Sequence, residues 1–130
     1  MFKSFFDFIL FFLGLRKIAI ISGESMFPYL KEGDIVFFKK YKKNKSILKN
    51  RQIVIFNHPV KNKKLIKRIK SVNQNNVEVI GDNIKFSEDS NKFGLINKEK
   101  IIGIFTSKLI IPKLKNFLIQ KNRSTSLNPK

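Results

Sequence analysis

The chain has 130 residues, 42% of them apolar, and its 27 lysines and arginines against 9 acidic residues give a formal charge of +18. That is enough for one domain with a modest core, and it is not the composition of a disordered chain. The lack of cysteine excludes disulfides, thiolate metal sites and a cysteine nucleophile, and a single histidine, His58, argues against a multi-histidine metal centre, so neither metal nor cofactor is expected.

The N-terminus reads MFKSFFDFILFFLGLRK and is apolar from Phe5 to Leu15 except at Asp7. As a helix this run is about 16 Å long, against a hydrocarbon core of roughly 30 Å. Extension to Ile21 would bury Arg16 and Lys17 at roughly 2.5 to 3.5 kcal/mol each. Residues 1–17 are therefore expected to form a shallow, phenylalanine-rich membrane-associating helix and not a span. The other reading, a helix packed on the domain, is disfavoured because apolar residues surround the helix instead of forming one stripe.

Beyond Lys17 the pattern changes to short runs rich in Ile, Val and Phe: Lys17–Ser22, Asp34–Lys39, Gln52–Asn57, Leu65–Ser71, Val77–Ile80 and Ile101–Thr106. Gly33-Asp34, His58-Pro59, Asn73 to Asn76 and Gly81-Asp82-Asn83 read as turns between them. Such strands predict a mostly β domain, a small antiparallel fold, over residues 18–108. Lys39 to Arg51 is a solvated, lysine-rich connection. In residues 109–130, Ile111, Leu114 and Leu118 fall at helical spacing between lysines, which predicts a basic amphipathic helix followed by a polar tail.

Chemistry enters with ISGESMFPYLKEGDIVFF, residues 21–38, where Ser25 stands between a small-residue turn and an oily pair. A serine becomes a nucleophile when a base removes its proton and donors hold the oxyanion. His58 lies in an Asn-His-Pro turn with no carboxylate partner identifiable from sequence, so a Ser-His-Asp triad is disfavoured. Lysine is a base near neutral pH only when burial lowers its pKa. Lys67 sits in LIKRI, where alternation puts Leu65, Lys67 and Ile69 on one face and can aim the amine into an apolar site. Taken alone, Lys67 reads better as an amphipathic strand residue whose head reaches water. The loop GDNIKFSEDSNKFG, residues 81–94, alters that balance. Ser87 can orient a lysine amine, and Asp82, Asn83 and Asp89 can fix the loop by side chain-to-backbone bonds.

These segments together resemble the signal peptidase I family of membrane-associated serine proteases. The resemblance rests on Ser25-Met26-Phe27-Pro28, then Gly33-Asp34 with Ile35-Val36, then Lys67-Arg68-Ile69, then Gly81-Asp82-Asn83 with Ser87, Asp89-Ser90 and Gly94. It covers about residues 20 to 105, with four motifs in the right order. It implies a small antiparallel catalytic β-fold and a Ser-Lys dyad, in which Ser25 attacks the scissile carbonyl and neutral Lys67 takes its proton. Ser87 would orient Lys67, Met26 would line the substrate channel, and Gly23 stands in the oxyanion region where some members carry a second hydroxyl. Two departures bear on the site. Lys70-Ser71-Val72 replaces the usual Gly-x-Pro-Gly-Asp, and Asn91 stands where many members have an arginine, so that Asp89 is expected to pair with Arg68 in a structural role.

The short chain and the Asn-His-Pro element resemble a compact branch associated with trimming the leader of nickel-containing superoxide dismutase. The expected partners are thus a leader-bearing protein substrate and a membrane surface, with the catalytic domain on the cytoplasmic side. Within catalysis the rivals are a general secretory signal peptidase and a self-cleaving repressor protease. From another class, the charge of +18 suits a non-catalytic basic module on membrane or nucleic acid. A coding bias toward Lys, Asn, Ile and Phe accounts for that charge equally well. Nucleic acid is not the expected partner, because binding alone does not explain Ser25, Lys67 and Ser87 in this order.

Overall fold

A computed structural model describes residues 2–109. It opens with helix α1 (Phe2–Phe12), followed by strands β1 (Lys17–Ile20), β2 (Ile35–Lys40), β3 (Ile53–Asn57), β4 (Lys64–Val72) and β5 (Asn76–Ile80). A 3-10 turn at Ile84–Phe86, a short helix α2 (Ser90–Phe93), β6 (Ile96–Asn97) and β7 (Ile101–Lys108) complete it. The expected basic C-terminal helix, with Ile111, Leu114 and Leu118, lies outside the described residues.

The strands form one antiparallel sheet in the order β1-β2-β7-β3-β4-β5-β6. The small antiparallel β-fold read from the sequence is the fold found. The central strand β3 is apolar at consecutive positions because both faces are covered. Ile53 and Ile55 join one core cluster with Ala19, Met26 and Ile66, while Val54 and Phe56 join another with Leu65, Ile69 and Val79. Register shifts at Phe37/Phe38, Ile55/Phe56 and Ile69/Ser71 bend the sheet.

Helix α1 ends at Phe12, short of the residues 1–17 expected for it. Gly14 takes φ +78°, its N–H donates to Phe11 O at 3.0 Å, and Leu15 N–H donates to Leu10 O at 2.8 Å. That pair of bonds satisfies the last carbonyls and turns the chain toward β1. Contrary to the sequence expectation, the helix is packed on the domain. Phe8 and Phe11 lie against Ile18, Ile35 and Phe37. Asp7, only 1% exposed, accepts from Arg16 Nε at 3.0 Å and from Ser107 Oγ at 2.6 Å. A buried carboxylate is tolerable only with such partners, so Asp7 fixes which face turns inward. The outward face still carries exposed Phe5, Phe6, Ile9, Phe12 and Leu13. At 100° per residue these fall within about 120° of arc, so the helix has two apolar faces, one packed on the sheet and one largely exposed.

Candidate active site

The segment carrying Ser25 is an eleven-residue excursion, 22–32, between β1 and β2, closed at its base by backbone bonds. Ile21 N–H donates to Asp34 O and Gly33 N–H donates to Ile21 O, each at 2.8 Å. Gly33 holds φ +85°, and the Asp34 carboxylate accepts from Lys31 N–H at 2.8 Å. The Gly-Asp pair thus locks the loop shut. Gly23, buried with φ +84°, makes the opposite bend two residues before Ser25. Leu30 and Met26 anchor the loop from beneath, at 0% and 1% exposure.

A second loop, beginning at Gly81, holds the first in place. Asn83 N–H donates to Ser25 O at 2.9 Å and its side-chain amide donates to Glu24 O at 3.1 Å. Gly81 lies where these loops and Ser87 meet. A methyl group there would run into the Ser87 side chain and stand 2.7 Å from Ser25 O. Only hydrogen fits between the two serine-bearing segments.

Lys67 lies in the middle of β4, opposite Val54 of β3, on the face shared with Leu65 and Ile69. It is 0% exposed. Burial pulls its pKa from the ordinary 10.5 down to about 8; Asp89 and then Glu88, on the second loop, pull the other way, and Lys63 adds to the lowering. Among the described residues, only two buried side-chain polar atoms lack a hydrogen-bond partner, Ser25 Oγ and Lys67 Nζ. Stable interiors rarely tolerate either, and an unsatisfied buried amine is the more costly.

Other expected site residues take different places. Ser87 is buried next to Gly81, but its hydroxyl lies 3.5 Å from Glu88 O and makes no bond to Lys67. Met26, expected to line a substrate channel, is inside the core, and the exposed apolar side chains of its segment are Phe27 and Tyr29. The expected Arg68–Asp89 pair is not formed. Arg68 forks onto Asp82 with two bonds of 2.8 Å, because the β4–β5 register sets it opposite Ile80, two residues before Asp82. Asp89 instead caps α2 by accepting from Asn91 N–H at 3.0 Å. Asn83, expected to fix its loop by side chain-to-backbone bonds, does bond to backbone through its side-chain amide, but to Glu24 of the other loop; that partner, the tight meeting at Gly81 and the place of Tyr29 depend on which loops the sheet brings together.

His58 is a turn-maker. Its Nδ1 accepts from the N–H groups of Val60 (3.0 Å) and Lys61 (2.9 Å), and its ring meets Phe93 edge-on. Burial first, then Lys63 and Lys61, push its pKa down. A triad needs the reverse polarity, with Nδ1–H donating to a carboxylate. No three His, Cys, Asp or Glu side chains gather as metal ligands among the described residues.

Residues 3–79 match the family model described as signal peptidase, peptidase S26. The match spans more than half of the chain and includes Ser25 and Lys67, ending before Ser87 and Asp89. The chain belongs to this family, and is a serine peptidase of the signal peptidase type. No curated protein matches it.

Proposed function

We propose that the chain is an endopeptidase that removes N-terminal leaders by a Ser25–Lys67 dyad, within a peptidase domain of residues 18–108. The observation that carries this is the pair of orphaned buried atoms, Ser25 Oγ and Lys67 Nζ. An oily strand face lowers the amine to about 8, which leaves about one lysine in ten neutral at pH 7. Neutral Nζ takes the hydroxyl proton as Oγ bonds to the scissile carbonyl carbon. The ammonium then gives that proton to the leaving amine nitrogen as the C–N bond breaks, leaving an ester on Ser25. Water attacks the ester, Lys67 takes its proton, and Oγ recovers one on release. The Ser25 N–H is one oxyanion donor, and Gly23 keeps the approach free of a side chain. Ser87 positions Lys67 once substrate closes the site.

The particular substrate we propose is the precursor of a nickel-type superoxide dismutase, supported by the sequence resemblance to the compact branch. The outward face of α1 supports association with a membrane surface. Among the described residues, no helix is long and apolar enough to cross a membrane. The test is incubation of purified protein with a leader-bearing dismutase precursor and with a secretory precursor, followed by sequencing of new N-termini. Cleavage of the first and not the second supports the assignment, and the converse selects the general secretory reading. Ser25→Ala and Lys67→Ala should each abolish cleavage in a folded protein. Normal turnover by either would refute the dyad.

A further inference from the structure

On the far side of Lys67's strand neighbour, Arg68, lies a cavity of about 380 Å³. Its lining includes Lys3 of α1, Arg51 before β3, Arg68 and Lys108 at the end of β7, with Tyr29 between them. Tyr29 holds two of these cations over its ring, the Arg68 guanidinium carbon and Lys108 Nζ each 5.4 Å from the centroid. Lys108 Nζ also donates to Tyr29 O at 2.9 Å, and Arg68 Nη1 donates to Arg51 O at 2.9 Å. Arg51 keeps this place at φ +75°, a conformation that costs a non-glycine residue roughly 1 kcal/mol or more. Among the described residues no carboxylate lines the cavity, and Asp82 pairs with Arg68 of the four cations. Four cations against one acid, around a hollow also lined by Ser4, Gln52 and Thr106, suits a compact anion with several oxygens.

The cavity wall is also the start of α1. Lys3 lines it, and Phe5 and Phe6 follow at 59% and 58% exposure on the outward apolar face. A ligand with a charged head and a greasy tail fits both features at once. We propose that this cavity holds the phosphate of an anionic phospholipid headgroup, with the acyl chains running along the outer face of α1. The site is separate from the dyad and does not depend on it, so its failure would leave the peptidase assignment untouched.

The test must separate a built site from the general charge of +18. The full chain is floated with phosphatidylcholine vesicles, with and without phosphatidylglycerol, at about 0.5 M salt, where the Debye length falls to roughly 4 Å. Arg51→Gln with Lys108→Gln is compared with Lys42→Gln and Lys45→Gln, exposed lysines of the β2–β3 connection that lower the charge equally. Circular dichroism verifies the folding of each pair, and single Lys108→Gln serves if the double variant is unfolded. The expected result is a loss of at least about tenfold in affinity for phosphatidylglycerol vesicles in the cavity pair, with the control pair within about twofold. Glycerol phosphate should compete with the vesicles. Equal losses in both pairs, or none in either, would overturn the site. If inorganic phosphate binding depends on Arg51 and Lys108 but vesicle binding does not, the ligand is free phosphate and the lipid assignment is wrong. Binding of an acidic peptide but not of glycerol phosphate would overturn it as well.

Discussion

Lys67→Met should destroy cleavage and yet make the protein more stable. Methionine keeps the length and fills the same space between Leu65 and Ile69, so packing is retained. What is removed is an amine whose pKa falls from 10.5 in the unfolded chain to about 8 in the folded one. Between those values the unfolded state binds more protons, so stability of the parent rises with pH across that window. Below pH 8 the full penalty is present, about 3 kcal/mol at pH 7, and above pH 10.5 it vanishes. For a domain of this size the variant's melting temperature should rise on the order of 10 °C at neutral pH. Urea unfolding of parent and variant at a series of pH values from 7 to about 10.5 measures the gap directly. A variant no more stable than the parent at pH 7, or a gap that ignores pH, would refute the claim that Lys67 is held in an environment hostile to its charge.

The remaining predictions concern the same loops. Single-turnover cleavage should rise about tenfold per pH unit below neutrality and level off near pH 8, where Lys67 loses its proton; an acid optimum contradicts it as base. Gly81→Ala should lower kcat/KM about a hundredfold, because its methyl group must push Ser25 O or Ser87 aside; unchanged kinetics would mean the two loops are not held in register. Asp7→Ala strips Arg16 and Ser107 of their shared partner and should cost about 1 to 3 kcal/mol, with faster tryptic cutting at Arg16. Unaltered stability and proteolysis would show that α1 docks without that carboxylate.

Much of the sheet was legible because its signal is local. Runs of Ile, Val and Phe marked six strands within a residue or two, and Gly33-Asp34 and Gly81-Asp82-Asn83 marked turns that exist. Strand β6 escaped because two residues, Ile96 and Asn97, carry no alternation. Docking of α1 escaped because phenylalanines occur on every face, and the deciding contact joins Asp7 to a serine 100 residues away. Asp7, the one charge in an apolar run, was the available clue. The same limit produced the Arg68–Asp89 error. Both acids, Asp82 and Asp89, follow Arg68 in sequence, and only the β4–β5 register says which one it reaches. Lys67 was legible in part. Its neighbours Leu65 and Ile69 gave its face, but its depth comes from Val54 and the second loop.

The position of β7 has a bearing on how the chain is made. This strand is the last of the described elements, yet it sits between β2 and β3 and pairs with both. Until residue 108 has been synthesised, the nascent polypeptide offers two open strand borders, each rich in Ile, Val and Phe and each able to recruit another molecule. Closure of the sheet therefore waits for β7, and premature termination anywhere before it yields two unjoined half-sheets, prone to self-association and unable to cut anything.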